Sequence, residues 1–219
     1  MRLDRLSVET EHGPVPAVML APPEVRGGAV VLHGYGGNKE EVLGLASRIA
    51  SLGLMTCAID LRGHGENDRP LDGDVLREVE AVVAPMRRFG KVVAVGHSLG
   101  GRLALASSAE LVFAISPALS REYGPVTRKA LDELRSYRVR EARAGVVFDF
   151  LRSLPEWHPD GRATAIVFGS RDGPEIAGEC RRWMAVGAPV TEIPLGLHAD
   201  TIVLERTFEV LQEKLRGWF

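Results

Sequence analysis

A serine in a glycine-rich turn is the residue of this sequence best suited to covalent chemistry. Ser98 is the centre of residues 96–100, which read Gly-His-Ser-Leu-Gly. The apolar run Lys91–Val95 before it predicts a buried strand, and Arg102–Ser107 after it is rich in helix formers. A G-x-S-x-G sequence between a strand and a helix is typical of a sharp turn that exposes the serine hydroxyl at the end of a sheet. The two outer glycines let the neighbouring backbone approach closely.

A serine hydroxyl is a poor nucleophile without a base, and two later residues have the types that this chemistry requires. Histidine can take the serine proton near neutral pH, and a carboxylate can orient the imidazole ring and stabilise its protonated form. Asp172 follows the predicted strand 164–168, and His198 follows the predicted strand 190–193. The chain order Ser, Asp, His occurs in known triads of this kind. We therefore expect Ser98, His198 and Asp172 to act as nucleophile, general base and orienting acid.

Backbone N–H groups beside the serine are needed to bind the oxyanion of the reaction. We expect them to be the N–H of Leu99, directly after the nucleophile, and the N–H of Tyr35, in the loop after the predicted strand 28–32. Loss of one such donor typically lowers the rate on the order of 100- to 1,000-fold. The ring of Tyr35 is in addition a candidate to line the substrate pocket.

Other histidines and carboxylates compete for these roles. His33, His64 and His97 lie beside glycines, and we expect them to shape loops through hydrogen bonds. We expect His12 and His158 to be surface residues, and Asp60 to belong to a structural turn. The remaining carboxylates, Asp149 and Asp160, lie in or near the segment 117–161. Among the acids, we favour Asp172 over Asp149 and Asp160 because it alone follows a buried strand. No cluster of His, Asp or Glu has metal-ligand spacing, so we expect no metal and no cofactor.

Apolar strands and amphipathic helices alternate along most of the chain. The predicted strands are 3–10 and 15–20, which form an edge hairpin, and then 28–32, 54–59, 91–95, 111–115, 164–168 and 190–193. Helices are predicted between them, the first capped by Asn38 and the last bearing an apolar face from Leu204 to Trp218. This alternation predicts an α/β fold with a parallel sheet covered on both faces.

The alternation breaks between residues 117 and 161. Two helical stretches, 126–134 and 141–154, stand where the next strand is expected. We interpret 117–161 as a small helical cap inserted into a single domain that spans 1–219, with Phe150 on an apolar stripe that lines the substrate pocket. The alternative is an ordinary crossover that covers one face of the sheet.

Composition excludes several classes of protein. The formal net charge of −2 gives no electrostatic reason to expect a nucleic-acid partner. No apolar stretch is long enough to span a membrane, and the first residues lack the apolar region of a signal peptide, so we expect a cytoplasmic protein. The two cysteines, Cys57 and Cys180, form neither a disulfide framework nor a zinc site.

Taken together, these motifs resemble those of the α/β-hydrolase superfamily, particularly small serine esterases and dienelactone-hydrolase-like members. The motifs that carry the resemblance lie at 33–37, 60–65, 96–101, 169–172 and 197–198. The resemblance implies a mostly parallel sheet of about eight strands, with the lid inserted after the strand that follows the nucleophile helix. It also implies a hydrolase that cleaves a small carboxylic ester or thioester through an acyl-enzyme on Ser98. Peptidase, acyltransferase, perhydrolase and lyase activities use similar sites, and a non-catalytic ligand- or protein-binding member of the fold is a further alternative.

Overall fold

The computed structural model describes residues 1–219 as eight strands and seven α-helices. The strands are β1 (Arg2–Val8), β2 (Val15–Ala21), β3 (Gly27–Leu32), β4 (Leu54–Ile59), β5 (Val92–His97), β6 (Leu111–Ile115), β7 (Ala163–Gly169) and β8 (Val190–Ile193). The helices are α1 (Leu43–Ala50), α2 (Val75–Met86), α3 (Leu99–Ala106), α4 (Pro125–Arg138), α5 (Val146–Ser153), α6 (Pro174–Ala185) and α7 (Glu205–Trp218). None of these helices combines the length and the apolar character required to cross a membrane.

All eight strands form one sheet in the order β1-β2-β4-β3-β5-β6-β7-β8. The pairs β1–β2 and β2–β4 are antiparallel, and the five other pairs are parallel. The prediction of a mostly parallel sheet of about eight strands is therefore confirmed. The carboxyl ends of β3, β5, β6, β7 and β8 lie along the same edge, as parallel pairing requires.

Side chains that alternate along the central strands fill a core on each face of the sheet. In β3, Val30 and Leu32 point into the larger apolar cluster, while Ala29 and Val31 point into the smaller one. The larger cluster contains side chains of α2, α3, α5 and α6, and the smaller contains those of α1 and α7. Since both faces are covered, every residue of β3 is buried, which explains its continuous apolar sequence.

The segment between β6 and β7 contains two helices that differ in burial. Five of the eight residues of α5 are buried, whereas α4 has no buried residue. The second helix begins at Val146 and not at Glu141 as predicted. The reason is that the Glu141 side chain accepts the Gly145 N–H at 2.8 Å, while the adjacent backbone bonds to Leu71.

The first helix also begins later than the sequence predicts. Asn38 does not cap it: its side chain accepts the Glu41 N–H in a turn, and α1 starts at Leu43. Between these points Lys39 turns inward, and its ammonium donates to the fully buried Asp60 at 2.7 Å. The same carboxylate accepts the Lys39 and Glu66 N–H groups. Asp60 therefore stabilises two loops, in agreement with its predicted place in a structural turn.

Candidate active site

Ser98 stands on a sharp turn between β5 and α3. Its backbone has φ 54° and ψ −114°, a conformation that is rare for residues other than glycine. The turn needs glycines on both sides, since a Cβ on Gly96 would lie 2.2 Å from the Gly100 carbonyl oxygen. Likewise, a Cβ on Gly100 would lie 2.4 Å from the Leu32 carbonyl oxygen of β3. The G-x-S-x-G pattern thus corresponds to close backbone packing that holds the serine at the edge of the sheet.

Three predicted site residues that are up to 100 positions apart form one hydrogen-bonded series. The Ser98 hydroxyl lies 3.1 Å from His198 Nε2, and His198 Nδ1 lies 2.8 Å from Asp172 Oδ1. Since a carboxylate accepts the Nδ1 proton, Nε2 is left free to accept the serine proton. The geometry can therefore support nucleophilic attack by the hydroxyl with histidine as base.

Asp172 is ionised in this environment although its side chain is inaccessible to solvent. Burial alone raises the pKa of a carboxyl group, but the hydrogen bond and charge of His198 outweigh it and lower the pKa of Asp172 below its ordinary value. The Ser116 hydroxyl and the Gly173 N–H add to this lowering. A permanently charged acid is what is needed to keep the His198 ring in one tautomer.

Ser116 is a neighbour of the acid that the sequence analysis did not single out. It follows β6, is fully buried, and has a positive φ of 47°. Its N–H donates to the Val167 carbonyl at 2.7 Å, which ties the end of β6 to β7. A non-glycine residue with positive φ next to a strand end is visible only in three dimensions, so no sequence signal identifies it.

The competing acids lie elsewhere. Asp149 pairs with Arg143 and Arg152 on the surface of the segment between β6 and β7, and Asp160 pairs with Arg162. Neither contacts a histidine. Nor does the chain contain a group of three or more His, Cys, Asp or Glu side chains placed to hold a metal ion.

The two predicted oxyanion donors flank the serine. The loop after β3 passes close to it, since a Cβ on Gly34 would lie 3.2 Å from Ser98 Cβ. No hydrogen bond of the loops, helix caps or side chains uses the N–H group of Tyr35 or of Leu99. Both are therefore available to an oxygen of a ligand. The Leu99 N–H is also the first of α3, where the helix dipole favours negative charge.

The side chain of Tyr35 both lines the cavity beside Ser98 and anchors its own loop. Its hydroxyl donates to Glu141 Oε1 at 2.8 Å, and the Glu141 side chain is 2% exposed. This hydrogen bond connects the loop after β3 to the start of the segment leading into α5. The backbone and ring roles considered for Tyr35 are thus geometrically compatible.

A cavity of about 380 Å³ opens beside Ser98 and His198. Its walls are the glycine-rich loop after β3, the loop after His198, and one side of α4, which contributes Leu131, Leu134 and Arg138. Phe150 does not line this cavity. It is buried in the larger apolar cluster, on α5. The sequence analysis did not single out the three α4 residues, although their spacing of three and four positions places them on one helix face.

Three histidines near the site are neutral at pH 7, of which His33 and His64 are buried and His97 is half-buried. His33 Nδ1 donates to the Gly34 carbonyl while its Nε2 accepts the Leu61 N–H, and His97 Nε2 donates to the His198 carbonyl at 2.9 Å. Burial lowers the pKa of His33 and of His97 to about 4, and that of His64 to about 3. These side chains shape the loops, as the sequence analysis expected.

The protein is accordingly expected to lose stability between pH 7 and 5. The pKa values of these histidines are lower in the folded chain than in the unfolded chain, so the unfolded chain binds more protons as the pH falls below about 6.5. The loss amounts to about 2 kcal/mol per histidine over this range. Urea unfolding at pH 7, 6 and 5 measures it. In a His64→Gln variant, the free energy of unfolding should depend less on pH. The exposed control His158→Gln should show the same pH dependence as the wild type. Equal pH dependence in all three proteins would contradict the buried, neutral state of His64.

Comparison with known proteins identifies the family. The model of the alpha/beta hydrolase family matches residues 29–194, so the chain belongs to this family. A curated relative, 2-(acetamidomethylene)succinate hydrolase of Mesorhizobium japonicum, is 25% identical over 179 residues. The match covers 78% of this chain and 63% of that protein, so the chain spans less than two thirds of the relative's length.

Solved structures share the fold over nearly the whole chain. A crystal structure of E-2-(acetamidomethylene)succinate hydrolase has a TM-score of 0.75 at 17% identity, with 98% of this chain and 100% of that chain covered. A hyperthermophilic esterase from the archaeon Pyrobaculum calidifontis has a TM-score of 0.71 at 17% identity, with 98% and 84% covered. The resemblance drawn from the motifs is confirmed at the level of family by the family model and at the level of fold by these structures.

Proposed function

We propose that this protein is a serine hydrolase that cleaves a carboxylic ester or thioester of a small substrate. The observation that carries the proposal is the series of hydrogen bonds from Ser98 through His198 to the buried Asp172. A hydroxyl, a base and an orienting acid lie within proton-transfer distance, next to a cavity and two free N–H donors. Membership of the family and the hydrolase names of its relatives support the same reaction class.

The reaction begins when Ser98 Oγ attacks the substrate carbonyl carbon and His198 Nε2 takes the hydroxyl proton. The electron pair of the carbonyl bond moves to oxygen, and the N–H groups of Leu99 and Tyr35 bind the resulting oxyanion. When the intermediate collapses, the alcohol or thiol leaves with the proton from His198. Water then attacks the acyl-enzyme in the same manner and releases the acid and free Ser98.

The substrate in the name of the curated relative requires separate consideration. A succinate carries two carboxylates. The cavity beside Ser98 has one arginine in its wall, Arg138, and that arginine is paired with Glu41. We therefore propose ester or thioester hydrolysis for this chain, and we do not propose (acetamidomethylene)succinate as its substrate.

Covalent labelling and ester hydrolysis test the proposal. A fluorophosphonate probe should modify Ser98, as located by mass spectrometry of peptides, and an excess of substrate should slow the modification. With p-nitrophenyl esters from acetate to laurate, we expect turnover to be highest for acyl chains that fit about 380 Å³. Absence of both labelling and turnover would instead favour a ligand-binding member of the fold.

Shortening Leu134 is expected to shift the preferred acyl chain length upwards. Its methyl groups lie over the glycine loop, since a Cβ on Gly36 would lie 3.2 Å from them. Leu134→Ala removes this part of the cavity wall, so the optimum for p-nitrophenyl esters should move to longer chains. The measurement is the profile of kcat/KM against acyl chain length.

Phe150→Ala is the matched control, because it truncates a residue of the same segment outside the cavity. It should cost about 3–5 kcal/mol of stability, the range for a buried phenylalanine, without moving the chain-length optimum. If Phe150→Ala moves the optimum and Leu134→Ala does not, the original assignment of Phe150 to the substrate pocket is favoured.

A further inference from the structure

The cavity beside Ser98 contains a single pair of opposite charges. Arg138 Nη2, at the end of α4, donates to Glu41 Oε1, in the turn before α1, at 2.8 Å. The two side chains are 41% and 46% exposed, so the pair lies at the cavity mouth and not in the core. Apart from three histidines, the other residues of the wall carry no ionisable charge at neutral pH.

Two histidines of the wall, His33 and His97, add no fixed charge at neutral pH. Burial keeps the pKa of His33 and of His97 at about 4, so both rings are neutral at pH 7. His198 belongs to the reacting groups, where Asp172 balances the positive charge that the ring gains when it takes the serine proton. The Glu41–Arg138 pair is therefore the only charged feature of the wall outside the reacting groups, and its own net charge is zero.

The carboxylate of Glu41 faces the glycine-rich loop after β3. A Cβ on Gly37 would lie 3.1 Å from Glu41 Oε2, which places the carboxylate against the loop that carries the Tyr35 N–H. A negatively charged acyl group in the cavity would meet this carboxylate, and Arg138, the only arginine or lysine in the cavity wall, is already engaged with it. It would also lose hydration against apolar walls without gaining a free counter-ion, which is unfavourable.

We propose that the cavity selects esters whose acyl group is uncharged and apolar, and that the Glu41–Arg138 pair sets this selectivity. The inference rests on the proposed role of Ser98 as nucleophile. In this arrangement Arg138 neutralises Glu41, and Glu41 in turn prevents Arg138 from binding a substrate carboxylate. Removal of either partner leaves the other charge unpaired at the cavity mouth and changes the charge preference in opposite directions.

The test compares two esters of similar length, p-nitrophenyl butyrate and the mono-p-nitrophenyl ester of glutaric acid, which carries a free carboxylate. The readout is the ratio of kcat/KM for the neutral ester to that for the anionic ester. We expect a ratio of at least about 10 in the wild type, a decrease of about 10-fold in Glu41→Gln, and an increase in Arg138→Gln. Because both charges are partly exposed, the effect in Glu41→Gln should weaken at 0.5 M salt.

Glu209→Gln is the matched control, since Glu209 pairs with Arg206 at 2.8 Å on the exposed side of α7, away from the cavity wall. It should leave the ratio at the wild-type value. Two results would overturn the inference: a wild-type preference for the anionic ester, or the same ratio in the wild type, Glu41→Gln and Arg138→Gln. In either case, fluorophosphonate labelling of Ser98 would still support the proposed hydrolase. Absence of both labelling and turnover in the wild type would overturn the proposed function, and this inference with it.

Discussion

Replacement of Ser98 by alanine is expected to lower kcat about 10⁶-fold, as found when the serine nucleophile of a comparable triad is removed. Alanine cannot form the acyl-enzyme, so only oxyanion binding and substrate positioning remain. The variant should stay folded, because the hydroxyl has a single hydrogen-bond partner, His198, at 3.1 Å. Initial rates with p-nitrophenyl butyrate, together with thermal unfolding, measure both parts of this expectation.

Ser51→Ala is a suitable control for the serine variant. Ser51 is exposed at the end of α1, and its hydroxyl bonds only to the Arg48 carbonyl of its own helix. This variant should keep wild-type turnover and fluorophosphonate labelling. Full turnover by Ser98→Ala would mean that another group performs the attack and that the site assignment is incorrect.

Asp172→Asn is expected to lower kcat by about 10⁴-fold, as found for the equivalent change in a serine-histidine-aspartate triad. The asparagine amide N–H can donate a hydrogen bond to His198 Nδ1, which would place the ring proton on Nε2 and remove the base from Ser98. Asp172 lies 2.8 Å from the ring and is inaccessible to solvent, so no water molecule can easily replace its charge. Steady-state rates at pH 7 and 8 measure the loss.

Asp149→Asn and Asp160→Asn provide the comparison for this change. Asp149 pairs with the exposed Arg143, Asp160 pairs with the largely buried Arg162, and neither pairs with His198. Each of these variants should retain activity close to that of the wild type. A large loss in either one, with Asp172→Asn active, would show that the acid was chosen incorrectly.

The elements that position the site could be predicted from the sequence because their signals are local. Buried parallel strands are continuous apolar runs, and the predicted strands 54–59, 111–115 and 190–193 agree with β4, β6 and β8 residue for residue. The turn at Ser98 needs glycines within two positions of the serine, so its signature is contained in five residues. Asp172 and His198 were identified because each follows a strand of the same sheet.

The wall of the cavity depended on contacts that no local pattern contains. Glu41 and Arg138 are 97 positions apart, and their pairing depends on where α4 lies over the loop after β3. The sequence assigned Phe150 to the pocket because its apolar stripe is strong, but a strong stripe indicates burial, and α5 packs into the core.

The sequence by itself therefore determined the fold class, the turn at Ser98 and the chain order of the three candidate catalytic residues. Each of these features depends on a pattern of neighbouring residues, either an apolar run that forms a strand or glycines that allow a sharp turn. Only the tertiary structure decided that Ser116 lies beside Asp172, that Leu134 lies over Gly36, and that one ion pair stands at the cavity mouth. The walls of the cavity beside Ser98 come from loops and a helix that are distant in the chain, and their positions follow from the packing of the whole molecule.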